Sequence, residues 1–132
     1  HGAVLLDVPN EICSAKTLGR RVCTLCGGNF NTAAVYRDGF ELPAKLPDKQ
    51  QCLEECDPKL YWQTRDDDVK EVIEKRLQTY HQHADPILSL FESRHPQALL
   101  RFVPYKGFED VKRMISTVSF LLKLTLHCFL AN

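Results

Sequence analysis

Between Cys23 and about Gln63 the chain loses all helical and strand periodicity. Asn29, Asn31, Asp38, Gly39 and three prolines, Pro43, Pro47 and Pro58, punctuate about forty residues. A structureless loop of that length inside a small domain is uncommon unless it is functional or cross-linked. Two close cysteine pairs, Cys23–Cys26 and Cys52–Cys56, offer the cross-link, and Val35, Tyr36, Phe40, Leu42, Leu60, Tyr61 and Trp62 offer short strands with a minimal core. At 132 residues the chain is about one small domain, large enough to bury a core and not obviously two of them.

The flanks are strongly patterned. AVLLDV, residues 3–8, is an apolar run closed by Pro9, as expected of a buried parallel strand. Asn10 is placed to cap a helix over NEICSAKTLGRR, with Ile12, Ala15 and Leu18 on one side. After the excursion, Val69, Ile73, Leu77 and Tyr80 recur at helical spacing, with Val72 and Arg76 beside them. Asp66, Asp67 and Asp68 precede this helix, where negative charge suits the dipole. Pro86 should kink or interrupt it, and His95–Pro96 should end it. ALLRFV (98–103) is a second strand, PYKG a turn, and FEDVKRMISTVSFLL a closing amphipathic helix before an apolar tail. The order β–α–Cys loop–long α–β–α makes an α/β protein with an insertion between its two βα halves.

Cys23-x2-Cys26 followed by Gly27-Gly28, then Cys52-x3-Cys56, offers four thiolates, for which tetrahedral Zn²⁺ is the natural occupant. Asp57 is a substitute oxygen ligand. The alternatives are a remnant of an incomplete metal site, and disulfides of a secreted scaffold, against which Cys13 and Cys128 stand apart. A redox pair would sit at the start of a helix after a strand, whereas this one follows a helix.

Arg20 and Arg21 stand where the chain enters the excursion, and Arg65 where it leaves. Arg76 lies eleven residues beyond Arg65, which returns to nearly the same helical face. Within an apolar stripe, Arg76 requires an anionic partner, because a buried unpaired charge is costly. Asp67, Asp68 or Glu71 would serve, or the arginines converge on a polyphosphate whose oxygens suit the guanidinium fork.

Seventeen basic residues balance seventeen acidic ones, so no long-range field draws nucleic acid or an anionic membrane. KLTLHCFLAN is too short to span a bilayer alone. No GxxxxGK[ST] occurs, so the chain has no phosphate-cradling loop of its own. His81, His83, His95 and His127 have no orienting acid at recognisable spacing and are expected at the surface.

LLDVPNEICSAKTLGRRVCTLCGGNF, a Cys-containing loop, and TRDDDVKEVIEKRLQTYHQHADPILSLF together resemble the C-terminal half of a long-lid adenylate kinase, from Val4 to about Val118. CGGNFN and LPAKLP resemble plant-type organellar lids. The resemblance implies part of a P-loop-kinase-type parallel sheet with an inserted lid: core strand and helix over 1–22, lid over 23–64, core helices and last strand over 65–118, and an atypical tail over 119–132. It implies nucleotide partners (ATP, AMP and ADP), Mg²⁺ with the ATP, and a structural Zn²⁺ at Cys23, Cys26, Cys52 and Cys56. Arg20 then contacts nucleotide phosphates with Arg21 as its neighbour, and Arg65 and Arg76 clamp the transferring phosphoryl. Asp67 and Asp68 contact arginines and the water around magnesium. Lys16 stands where the family often stacks an arginine on the adenine, and Tyr105–Lys106–Gly107 where backbone carbonyls receive the adenine amino group.

The family's phosphate-binding loop, its AMP-binding helices and its magnesium-site strand precede the region that this chain resembles. The expectation is a fragment or truncated product, inactive alone and pairing with an N-terminal kinase half, in the cytoplasm or an organelle (mitochondrion or plastid). The competing expectation is a non-catalytic, zinc-ribbon-like interaction module.

Overall fold

The computed structural model describes residues 2–47 and 56–130, with side chains through residue 120. The two apolar runs form the parallel pair expected of them. Strand β1 (Ala3–Leu6) lies against β7 (Leu99–Phe102), with Ala3 opposite Leu99 and Leu6 opposite Phe102. Burial is less complete than a continuous apolar run predicts. Val4 and Leu6 remain exposed because each borders an open cleft instead of a packed element.

Helix α1 spans Asn10–Leu18 and stops short of the arginines. The chain passes so close at Gly19 that a Cβ there would meet the Ala33 Cβ at 2.5 Å, and Thr32 N donates to Gly19 O at 2.8 Å. That approach turns Arg20 and Arg21 out of the helix and into strand β2 (Arg20–Cys23). Asn10 does not cap α1 through its side chain; it meets His81 instead.

The excursion folds into two small antiparallel units. Strand β2 sits between β3 (Asn29–Asn31) and β6 (Trp62–Gln63). A hairpin joins β4 (Val35–Arg37) to β5 (Phe40–Leu42) through Asp38–Gly39, both with positive φ (53° and 82°), as a two-residue Asp-Gly turn demands. Each unit has its own core. Phe30 stacks on Trp62 with centroids 5.2 Å apart, beside buried Cys23 and Cys56. Val35 and Phe40 of the hairpin pack with Ile12 of α1, backed by Val8, Leu42 and Val103.

Short helix α2 (Pro58–Tyr61) leads to β6, and α3 then runs unbroken from Lys70 to Arg94. The interruption expected at Pro86 is absent. Proline costs the helix one hydrogen bond, to the carbonyl of Gln82, and both residues are exposed, so water can serve that carbonyl. The final helix, α4, spans Val111–Leu130, so the stretch expected as a tail continues the helix.

Candidate functional site

Strand β2 and the turn before α3 bring together the charged residues that the spacing singled out. Arg20 Nη1 lies 3.5 Å from Asp68 Oδ1, and Arg76 Nη2 lies 2.7 Å from Asp67 Oδ2. Adjacent aspartates therefore hold two arginines from different elements. Asp68 is 2% exposed and, among the described residues, neither of its oxygens has a hydrogen-bond partner, so Arg20 is the charge that balances it. The Arg76 hydrogen bond holds the Asp67 carboxyl below the usual range; partial burial opposes this, and the charges of Arg76 and then Arg65 add to it. Arg65 donates to Asn29 Oδ1 at 3.0 Å, which ties the exit of the excursion to β3. Arg21 turns back on the chain, donating to the carbonyls of Leu18 and Arg20 at 2.8 and 2.6 Å.

Arg76 does not sit within a buried apolar stripe. Its side chain is 57% exposed, because Ile73 is the one buried residue of α3 and the covered strip is narrower than the apolar pattern suggests. Its partner is nonetheless one of the acids named for it.

Lys16, Lys106 and Gly107 line a cleft of about 550 Å³, with Asn31, Lys45, Phe108 and apolar residues including Leu42, Phe102 and Met114. The turn on its rim is built by a residue the sequence reading missed. Buried Asp110 accepts from Lys106 N at 2.7 Å and from Arg113 Nε at 3.0 Å, and Arg113 Nη2 reaches Val103 O at 2.8 Å. The Arg113 bond, then the Lys106 amide, depress its pKa. An acid three residues before an arginine was the available signal. Gly107 has φ +61°, and a Cβ there would meet Leu42 Cδ2 at 3.1 Å.

The β4–β5 hairpin docks on the same turn. Glu41 N donates to Tyr105 O at 2.7 Å, Lys106 Nζ pairs with Glu41 at 3.3 Å, and the Phe40 and Tyr105 rings lie 5.1 Å apart. Lys16 Nζ donates to Ala33 O at 2.9 Å and Pro43 O at 3.0 Å, on either side of that hairpin. Partial burial lowers its pKa. Asn31 joins cleft to arginines: its side-chain amide donates to Lys16 O at 2.6 Å, and its backbone pairs opposite Arg20.

Cys23, Cys26 and Cys56 converge, their sulfurs all within 4.8 Å of one another, and Cys23 and Cys56 are buried. The backbone amide of Cys26 leads the causes that lower the Cys23 pKa from 9.0 to about 7, and the Leu25 amide adds to it against the opposing effect of burial. Gly27, at φ +71°, closes the knuckle with its N–H on Cys23 O at 2.8 Å. This donor set suits Zn²⁺, which binds thiolates at about 2.3 Å. Cys52 lies outside the described residues. Asp57 is committed elsewhere: its carboxylate accepts from Lys59 N at 2.8 Å and caps α2.

His81 keeps the surface position expected of it, but it has the acid partner that its spacing did not suggest. It bridges Asp85 at 3.3 Å and Asn10 at 3.1 Å, fastening α3 to the start of α1. Cys13 Sγ contacts Val8 O at 3.8 Å, and burial is the main cause raising its pKa.

No protein-family model matches the chain. Curated proteins do. A probable chloroplastic adenylate kinase of Oryza sativa subsp. japonica is 38% identical over 95 residues, covering 67% of this chain and 31% of the relative. A GTP:AMP phosphotransferase of Plasmodium falciparum is 33% identical over 107 residues, 81% of this chain and 45% of its own length. An adenylate kinase of Caldicellulosiruptor saccharolyticus is 32% identical over 89 residues, 67% of this chain and 36% of its own. The resemblance to adenylate kinases, plant chloroplastic ones included, is therefore borne out over about two thirds of the chain. The mixed α/β fold with its parallel strands agrees with a partial fold of that kind. The chain spans from about a third to under half of the length of these three relatives. Among the described residues, no helix is long and apolar enough to cross a membrane.

Proposed function

We propose that this relative of the adenylate kinases supplies the lid and the C-terminal core of a nucleoside-monophosphate kinase, which in its complete form transfers a phosphoryl group between ATP and AMP. The carrying observation is the double pair Arg20–Asp68 and Arg76–Asp67, with Arg65 beside it. Phosphoryl transfer needs positioning and charge neutralisation more than covalent chemistry, and guanidiniums suit phosphate oxygens. The aspartates hold the arginines extended before substrate arrives, so little reorganisation is left for the moment of transfer. Both guanidiniums keep solvent-facing surface with which to meet phosphate.

Arg20 lies at the entry and Arg65 at the exit of the excursion. Movement of residues 23–64 about those ends would bring the charges in and expel water. The 550 Å³ cleft takes the base of the donor, with the Tyr105–Lys106–Gly107 backbone reading its edge and Lys16 and Lys106 at the rim. Mg²⁺ bound with the nucleotide would neutralise phosphate charge, and Asp67, whose carboxylate keeps solvent-facing surface, is the acid of the pair able to meet its waters, whereas Asp68 is buried against Arg20. Zn²⁺ on Cys23, Cys26 and Cys56, with Cys52 as the fourth thiolate, would stiffen the lid as one body. The chloroplastic names of some relatives support an organelle, the plastid first, as the place to look.

The 132 residues hold no GxxxxGK[ST], and the reading makes this chain inactive alone. The test is a coupled assay for ATP + AMP ⇌ 2 ADP. The chain by itself should give no turnover. Adding the segment of the rice relative that precedes its aligned region should restore it, and Arg76→Ala should abolish the gain. Stoichiometric zinc, loss of fold on chelation and no response to any nucleotide would instead favour a zinc-ribbon-like interaction module.

A further inference from the structure

We infer that α4 is a surface-lying membrane helix whose apolar face seats in an anionic phospholipid layer. From Val111 to Leu130 the sequence segregates apolar from polar positions more strongly than α1 or α3 does. Val111, Ile115 and Val118 recur at helical spacing, and the sequence keeps that period at Leu122, Leu126 and Phe129. Where side chains are described, this face is poorly covered. Val111 is exposed, Ile115 is 56% exposed and Val118 is only partly buried.

The charges on α4 select the occupant. The stretch 111–130 contains no Asp or Glu. Arg113 is committed to Asp110 and to Val103 O, which leaves Lys112 and Lys123 as the lysines of the helix. Eleven residues return an α-helix to nearly the same side, so positions 112 and 123 share one flank of the apolar face. They stand about 16 Å apart along the axis, and both meet headgroups only when the helix lies in the plane of the surface. A second copy of α4 would set lysine near lysine with no acid to pair, whereas anionic headgroups supply the missing charge. The resemblance to adenylate kinases ends at about Val118, so a kinase core accounts for cover over about the first two turns of α4. The chain is neutral as a whole, so nothing draws it from a distance. Attachment is local, through apolar burial and two short-range cation contacts.

The experiment is flotation of the full chain with vesicles of phosphatidylcholine alone and of phosphatidylcholine containing about 30% phosphatidylglycerol. The parent should float with the anionic vesicles and bind the neutral ones at least about fivefold more weakly. Ile115→Asn should weaken binding to anionic vesicles at least about fivefold, and Lys112→Glu with Lys123→Glu at least about tenfold. The same two reversals at exposed Lys59 and Lys75 should leave binding within about twofold. Hydrogen exchange of the parent, which needs no variant, should slow along α4 and not along α3 when anionic vesicles are added. A parent that stays with the buffer, binding untouched by either α4 variant, or an equal loss in the Lys59 and Lys75 control overturns the proposal. So does a dimer in lipid-free solution that protects α4 and is lost in Ile115→Asn, which gives the face to a second copy. Protection that arises only on adding the N-terminal segment of the rice relative gives it to a kinase core instead.

Discussion

Replacing Arg20 by methionine isolates the one interaction on which the buried acid depends. At 3.5 Å, two unit charges attract by about 5 kcal/mol at an effective dielectric of about 20. The Arg20 side chain is 36% exposed, so solvent screens part of that. Without the arginine, Asp68 is a carboxylate with no exposed surface and, among the described residues, no hydrogen bond to either oxygen. Breaking such a pair on one side costs about 3–5 kcal/mol. A stranded carboxylate can escape by taking a proton, which costs an ordinary aspartic acid about 4 kcal/mol at pH 7 and about 1.5 at pH 5. Arg20→Met should therefore destabilise by about 2–4 kcal/mol at pH 7 and by less than half of that at pH 5. Adding Asp68→Asn should recover most of the loss, since a neutral amide is cheaper to strand. Urea unfolding followed through Trp62, the single tryptophan, reports this directly because its ring is stacked in the β2–β3–β6 unit. A loss below about 0.5 kcal/mol, one that does not shrink at pH 5, or a double variant no better than Arg20→Met refutes the reasoning.

Cys23 gives a pH window of opposite sense. Its folded pKa, about 7, lies below the ordinary 9.0, so its stabilising contribution is complete above pH 9 and lost as pH falls through 7. The reduced, metal-free chain should gain stability between pH 7 and 9, and Cys23→Ser should flatten that rise; a rise of equal size in the variant would exclude Cys23 as its source. Gly107→Ala should cost about 1–2 kcal/mol for the left-handed φ alone, with more from the Leu42 contact, and a neutral substitution would show that the turn is not held as described.

Local pattern carried the parallel strands and α3. An apolar run closed by proline, and a 3.6-residue period, state what they will form whatever surrounds them. The Arg and Cys spacings were legible for the same reason. What failed depended on distant neighbours. Arg20 and Arg21 looked helical until Ala33 and Asn31 arrived at Gly19. His81 gained its second partner from Asn10, seventy-one residues away. Nothing in the run Asp66–Asp68 says which acid is buried; the path of β2, which delivers Arg20, decides that for Asp68. Pro86 should kink or interrupt its helix, and the interruption is absent because the exposed side tolerates the lost bond. Asp110 went unnoticed because a short acid beside a turn is common, and its two donors become visible only once the turn is folded.

The central claim is that arginines from the entry and exit of the excursion and from α3 meet one polyphosphate. It is tested most directly by titrating the ¹⁵N-labelled chain with MgATP while observing the backbone and guanidinium signals. Saturable shifts should concentrate at Arg20, Arg65, Arg76 and Gly107, with the phosphate-dependent part reproduced by tripolyphosphate. Signals at those four positions that stay still at millimolar MgATP, while the Cys23–Cys56 unit responds to zinc, would contradict it.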